Sequence, residues 1–139
     1  MTTPQRPVSR GRRLAVVAAL VMLLGCLLPW YTLAGDLPSS PFGAFDGSGV
    51  LVFGAALATL ALVTLPYATG RPAWDVDRWI AYALIAGVAV LGAAVWPVGF
   101  LDGPAGLRPD RAPGLWLSFA GALALIRASF LITREPTRL

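Results

Sequence analysis

Residues 80–100 read IAYALIAGVAVLGAAVWPVGF, a stretch of 21 residues that contains no charged side chain. A helix of this length spans about 30 Å, which is the thickness of the hydrocarbon core of a bilayer. Lipid offers no partner to an unpaired backbone N–H or C=O group, so a chain that crosses it in this way is helical. The stretch therefore predicts a transmembrane helix over Ile80–Phe100.

Three more stretches share this length and character. They are Leu14–Leu33, Val50–Thr69 and Pro113–Ile132. Of the 139 residues, 57% are hydrophobic and only 13% are charged, whereas a soluble domain is about 25% charged. We therefore predict an all-α fold, namely an integral membrane four-helix bundle over residues 14–132. A basic tail at 1–13 precedes it and a second tail at 133–139 follows it.

The arginines predict the orientation of the helices. All eleven basic residues are Arg, and nine of them flank the span ends that share one side of the membrane. These nine are Arg6, Arg10, Arg12, Arg13, Arg71, Arg78, Arg127, Arg134 and Arg138. Cytoplasmic ends of membrane helices carry the excess of basic residues. We therefore expect a multi-pass protein of a bacterial cell membrane with both termini in the cytoplasm and with outer loops at 34–49 and 101–112.

Aromatic residues near the predicted span ends agree with this placement. Trp30 and Trp116 fall at the predicted outer boundary, and Trp79 and Tyr82 fall at the inner one. Amphipathic rings prefer the level of the lipid headgroups. We expect these four side chains to lie at the membrane surface.

The chain resembles itself at an offset of 67 residues. The aligned groups are Leu24-Gly25 with Leu91-Gly92, Gly47 with Gly114, and Gly54-Ala55 with Gly121-Ala122. One interpretation is two tandem, parallel helical hairpins that are related by an axis along the membrane normal. The other interpretation is chance matching among abundant alanine, glycine and leucine residues.

Small residues at helical spacing mark the candidate packing faces, because helices in lipid approach closely through glycine and alanine. The candidates are Gly54 and Ala58 on the second span, Ala83 and Gly87 on the third, and Ala120, Ala124 and Ala128 on the fourth. These faces serve either the packing of the bundle itself or the docking of a second membrane protein, which includes a second copy of this chain.

Arg127 is the one charged residue within a predicted span. It lies roughly 9 Å from the cytoplasmic end at 1.5 Å per residue, so its long side chain can extend to the headgroups. Two alternatives are an ion pair with Asp75 or Asp77 and the binding of an anionic lipid headgroup. Asp75 and Asp77 are themselves expected to cap the third helix, whose N-terminal dipole favours negative charge.

The two outer loops are the candidate recognition surface for a ligand outside the cell. Loop 34–49 is rich in proline and glycine, which predicts turns instead of a regular element. Loop 101–112 carries charges of both signs. The candidate residues are Asp36, Phe42, Phe45, Asp46, Arg108, Asp110 and Arg111.

The chain lacks the residues that most catalytic and metal sites need. It has no histidine, no acid within a predicted span, and a single cysteine, Cys26, within the first. General acid–base chemistry favours a positioned histidine or a buried carboxylate, and a lone thiol without a base is inert. We therefore expect no enzymatic activity, no metal and no cofactor. The net charge of +4 comes from arginines beside apolar stretches, so we expect no binding to nucleic acid.

Three weak motifs carry a resemblance to a group of known proteins. They are the arginine-rich start, Leu28-Pro29-Trp30-Tyr31 at the end of the first span, and the glycine that opens the fourth span in Pro113-Gly114-Leu115-Trp116. Together they resemble the small uncharacterised four-helix (tetraspan) membrane proteins of actinobacteria. This resemblance implies the fold, and it implies no activity, cofactor or catalytic residue.

Two functions remain open from the sequence. The leading hypothesis is a non-catalytic accessory or scaffolding subunit that packs against other membrane proteins in the bilayer. The alternative is a small transporter or channel component that acts as an oligomer or with larger subunits. The polar residues available to line a pore are Thr59, Thr64, Ser118 and Ser129.

Overall fold

The computed structural model describes residues 9–30, 43–68, 79–101 and 113–134. Within these ranges the chain forms four α-helices and one short 3-10 turn, and it forms no strand. The helices are α1 (Arg10–Leu27), α2 (Gly49–Ala68), α3 (Trp79–Leu101) and α4 (Pro113–Thr133), and the 3-10 turn is Ala44–Asp46. The predicted all-α fold with four helices is therefore confirmed for the described residues.

The four helices pack in a ring in which each helix is antiparallel to its neighbours. Both α1 and α3 pack against α2 and α4, and the α1–α4 pair is the most extensive. Gly25, near the end of α1, lies against Gly114 at the start of α4. The Cys26 thiol lies 3.9 Å from the carbonyl oxygen of Gly49 at the start of α2. Gly92, late in α3, lies close to the carbonyl oxygen of Ser48 just before α2.

This arrangement gives the bundle two distinct ends. The glycine end comprises the C-terminal ends of α1 and α3 together with the N-terminal ends of α2 and α4, and it contains Gly25 and Gly114. The arginine end comprises the opposite ends of the four helices. It contains Arg10 at the start of α1 and Arg134 directly after α4.

Small side chains fill the interior, and large apolar side chains cover the exterior. Eleven of the twenty buried hydrophobic residues are alanine. By contrast, twenty large hydrophobic side chains are exposed, among them Leu84 at 67% and Phe130 at 65%. Every one of the four helices therefore presents an apolar outer surface.

Helix α1 ends at Leu27, six residues before the predicted boundary at Leu33. The residue before a proline avoids the helical region, and Leu28, which precedes Pro29, is extended with φ −88° and ψ 154°. Trp30 then folds back, and its Nε1–H donates to the carbonyl oxygen of Gly25 at 2.9 Å. The chain turns at this proline and the indole caps the helix.

The aromatic residues near the helix ends divide into two groups. Trp79 and Trp116 are 49% and 67% exposed, as a position at a membrane surface would require. Trp30 and Tyr82 are 1% and 0% exposed, so the prediction that they lie at the surface is wrong. Both rings instead fill space that the small side chains of the interior leave open.

Contacts that are 67 residues apart repeat in the structure. Gly25 on α1 lies against Ser118 on α4. Adding 67 to Gly25 gives Gly92 on α3, and subtracting 67 from Ser118 gives Leu51 on α2. A Cβ on Gly92 would indeed lie 2.8 Å from the Cβ of Leu51. The two glycines therefore occupy matching positions in the two halves of the bundle.

Membrane character is tested by the length and hydropathy of each helix. Among the described residues, one helix, Pro113–Thr133, is long and apolar enough to cross a membrane, with a mean hydropathy of 1.9 and 44% of its window buried. Two shorter apolar segments cover Gly49–Leu65 and Trp79–Val95. A single helix of this kind also occurs in the core of soluble proteins, so by itself it is weak evidence for a membrane protein.

Candidate functional site

Helices α1 and α4 touch through glycine. A Cβ added to Gly25 would lie 2.5 Å from Ser118 Oγ, and one added to Gly114 would lie 2.5 Å from the carbonyl oxygen of Gly25. A Cβ on Gly121 would lie 2.5 Å from Met22 Cγ and 3.0 Å from the Met22 backbone nitrogen. These separations are shorter than real side chains tolerate, so the contact between the two helices needs glycine at all three positions. We call these three glycines with Ser118 the α1–α4 seam.

Ser118 lies inside this seam and is fully buried. Its Oγ has no hydrogen-bond partner of ordinary geometry among the described residues, and the Cys26 thiol, a weak donor, is a polar neighbour. The oxygen packs against the backbone of Gly25, where Cα–H···O contacts are common between closely packed helices. Ser118 is therefore part of the packing between α1 and α4.

Hydrogen bonds between segments stabilise the glycine end. The backbone N–H of Gly114 donates to the carbonyl oxygen of Pro29 at 3.3 Å, and Ser48 Oγ donates to the carbonyl oxygen of Gly92 at 2.7 Å. With the bond from the indole of Trp30, they join α1 to α4 and α2 to α3. The sequence analysis did not identify this network, and the one sequence signal for it is the alignment of Gly25 with Gly92.

The seven small residues predicted as packing faces lie on different surfaces. Ala128 is buried, Ala58, Ala83 and Ala124 are half-buried, and Gly54, Gly87 and Ala120 are exposed. A Cβ added to Gly54 or Gly87 would meet no atom within 4 Å. The described contacts of the bundle therefore do not require glycine at these two positions.

Four exposed arginines lie at the arginine end, on the two helices that pack most extensively. Arg10 and Arg13 are on the first turn of α1, and Arg127 and Arg134 are on or directly after the last turns of α4. The predicted partners Asp75 and Asp77 lie outside the described residues. The ion pair proposed for Arg127 therefore stays a prediction.

The structure describes two of the seven candidate loop residues. Phe45 is 54% exposed, and its ring meets that of Phe53 edge-on, with centroids 5.1 Å apart and planes at 67°. The Asp46 carboxylate accepts a hydrogen bond from the backbone N–H of Gly43 at 2.7 Å, which closes the 3-10 turn. The other five, Asp36, Phe42, Arg108, Asp110 and Arg111, lie outside the described residues.

The hydroxyl groups within the helices bond to their own helices. Thr59 donates to the carbonyl oxygen of Ala55 at 2.8 Å, and Ser129 donates to that of Ile126 at 2.6 Å. Thr59 is fully buried and Ser129 is 5% exposed. These groups are satisfied inside the bundle and are not directed toward its outer surface.

A shallow apolar groove of about 430 Å³ opens between α2 and α3. Its lining is entirely aliphatic and comprises Ala58, Ala61, Leu62, Leu65, Ala81, Leu84 and Ile85. The groove lies toward the arginine end, below the contact of Gly92 with α2. Here α2 and α3 diverge, whereas α1 and α4 stay in contact through Gly121.

No protein-family model, curated protein or solved structure matches the chain. Among the described residues, no three His, Cys, Asp or Glu side chains are grouped so that they could hold a metal ion. The geometry of the helices and the distribution of their side chains are therefore the basis for a functional assignment.

Proposed function

We propose that the chain is a multi-pass membrane protein whose four helices form a bundle within the bilayer. The observation that carries this proposal is the distribution of side-chain size, with alanine predominant inside and leucine, valine and aromatic residues outside. A soluble protein buries its large aliphatic residues and keeps exposed apolar patches small. In lipid, helices associate through small residues instead, because burial of large apolar groups brings no advantage there.

The orientation that we propose follows from the arginines. The arginine end would face the cytoplasm, because basic residues accumulate on that side of the membrane. Both chain termini would then be cytoplasmic, and the glycine end with its loops would face outward. The exposure of Trp79 and Trp116 at opposite ends of the bundle supports this placement.

We further propose that the bundle is built from two tandem helical hairpins, α1–α2 and α3–α4, related by a pseudo-twofold axis. The support is the pair of equivalent contacts that Gly25 makes with Ser118 and Gly92 makes with Leu51. Chance similarity of composition would not bring partners to the same offset of 67. The two halves differ at Gly54, which is exposed, whereas its counterpart Gly121 is enclosed.

Within the membrane we propose a non-catalytic accessory or scaffolding role, in which the protein packs laterally against another membrane protein. Gly54, Gly87 and Ala120 support it, because they are small, exposed and free of close contacts or on an open surface. Glycine within a helix costs about 0.5–1 kcal/mol relative to alanine, and the bundle gains no packing from Gly54 or Gly87. Close approach of a partner helix would explain these residues.

The alternative role as a pore is less well supported. An oligomeric pore needs polar side chains on the outer surface of each bundle. Thr59 and Ser118 are fully buried, and of the four predicted lining residues only Thr64 is exposed. Even Thr64 donates to the carbonyl oxygen of Leu60 in its own helix at 2.8 Å.

The test is extraction of the tagged full-length chain from its native membrane in mild detergent, followed by mass spectrometry of the bound proteins. We expect a membrane protein in stoichiometric amount. The G54L and G87L variants should fold normally, because there is space for the side chain, and should lose this partner. V88L is the matched control, since Val88 is already a large exposed residue.

Two results would contradict the accessory role. One is a monomeric protein that copurifies with nothing, and the other is a partner that G54L and G87L retain as well as V88L does. Solute flux through liposomes that contain this chain alone would instead support the pore.

A further inference from the structure

We propose that the arginine end of the α1–α4 pair binds the phosphate of an anionic phospholipid, through Arg10 and Arg13 on α1 and Arg127 on α4. This inference rests on the proposed membrane placement and is independent of the accessory role. It names a ligand class, a diester phosphate that is anchored in the bilayer by its acyl chains, and a location at the cytoplasmic headgroup level.

The register of the two helices brings the arginines to one level. On facing helices, Gly25 lies by Gly114 and Ser118, and Gly121 lies by Ala18 and Met22. The numbers of facing residues therefore add up to about 141. Continued to the arginine end, this register places Arg127 level with residue 14 of α1, next to Arg13. The helices are in backbone contact, so exposed arginines on their flanks are close enough to share one anion.

The depth of Arg127 favours this arrangement. Its Cα lies six residues, roughly 9 Å, before the end of α4 at Thr133. The side chain is exposed and would face lipid, where a charged group is costly. Such a side chain extends toward the headgroups, and in this bundle that direction leads to the start of α1, where Arg10 and Arg13 project.

The charge around this end is strongly positive. Among the described residues the one acid is Asp46, at the glycine end. Counted along the whole sequence, the segments that begin or end at the arginine end carry nine arginines and three acids, and the remaining segments carry two arginines and four acids. The first-turn arginines of α1 also face the positive end of the helix dipole, which does not stabilise the helix. A phosphate would relieve this repulsion, and guanidinium groups bind phosphate in a bidentate manner.

The experiment measures lipid retained by the purified full-length protein. Protein in a mild non-ionic detergent is titrated with phosphatidylglycerol or with phosphatidylcholine, and bound lipid is counted by native mass spectrometry. We expect one phosphatidylglycerol per chain, in preference to phosphatidylcholine. An arginine near an anionic membrane surface contributes roughly a fivefold gain in affinity, so R127Q should weaken binding about fivefold and R10Q/R127Q about 25-fold.

R108Q/R111Q is the matched control, because it removes the same charge from a segment that adjoins the glycine end. Its affinity for phosphatidylglycerol should equal that of the wild type. Equal binding of the two lipids to the wild type, or equal loss in both double variants, would overturn the proposal. So would displacement of the lipid by millimolar inorganic phosphate, which would indicate a site for free anions.

The membrane placement has its own readout. A protein that is found in the soluble fraction without detergent would contradict the placement itself. A protein that requires detergent for extraction, yet shows no preference for phosphatidylglycerol, would contradict the lipid site alone.

Discussion

Ser118 Oγ on α4 lies directly against the Cα of Gly25 on α1, so that a Cβ on Gly25 would be 2.5 Å from this oxygen. We predict that G25A destabilises the protein by about 1–3 kcal/mol, the usual range for an overpacked core. The cost arises because the obstacles include the backbone of α4, namely the carbonyl oxygen of Gly114 at 2.8 Å. Unfolding in mixed micelles with increasing denaturing detergent measures this change.

The control for this substitution is the same change in open space. G87A adds a methyl group where no atom lies within 4 Å, and alanine is favoured over glycine in a helix by about 0.5–1 kcal/mol. G87A should therefore leave stability unchanged or increase it. If G25A and G87A behaved alike, the close contact between α1 and α4 would be wrong.

The indole of Trp30 is predicted to contribute both a hydrogen bond and volume. W30F removes the Nε1–H that donates to the carbonyl oxygen of Gly25, which should cost about 1–2 kcal/mol because the buried carbonyl loses a partner. W30A leaves a cavity as well and should cost about 3–5 kcal/mol. W116F is the control, since Trp116 is 67% exposed, and thermal unfolding followed by circular dichroism should show no significant change for it.

Two serines are predicted to respond differently to replacement by alanine. S48A removes the 2.7 Å hydrogen bond to the carbonyl oxygen of Gly92 and should cost about 0.5–1.5 kcal/mol. S118A removes an oxygen that has no partner of ordinary geometry, so the change should stay within about 0.5 kcal/mol. Denaturation of the two variants under identical conditions decides this. A larger cost for S118A would reveal a polar partner of its hydroxyl group.

Chemical labelling tests the proposed orientation. In a C26A background, a cysteine at position 40 should react with a membrane-impermeant maleimide in intact cells. A cysteine at position 3 should react only after the cells are permeabilised, because the amino terminus is predicted to be cytoplasmic. Labelling of position 3 in intact cells would reverse the topology. In the wild type, Cys26 is 2% exposed and should remain unlabelled until the protein is unfolded.

Helix content and number could be predicted from the sequence because they depend on local features. Long uncharged stretches such as Ile80–Phe100 predict helices wherever they are placed, and the four predicted stretches correspond to the four observed helices. The boundary of the first helix was missed by six residues. The apolar stretch continues to Leu33, whereas the helix stops before Pro29 because the chain must turn and return to the bundle.

The choice among small residues depended on tertiary structure. Ala120, Ala124 and Ala128 and the pair Gly54 and Gly87 have the spacing of a packing face, yet the closest contacts are made by Gly25, Gly114 and Gly121. Spacing along a helix reveals which residues share a face, but it does not reveal which face another helix approaches.

The sequence by itself determined that this chain is helical, that its helices are apolar on all sides, and that its arginines lie at one set of helix ends. These properties follow from composition and order along the chain. Only the tertiary structure decided that Trp30 and Tyr82 are buried, that Ser48 bonds to Gly92, and that the arginines of α1 and α4 adjoin. The physical reason is that an apolar helix has no preferred face of its own, so its orientation is set by the residues at which a neighbouring backbone can come close.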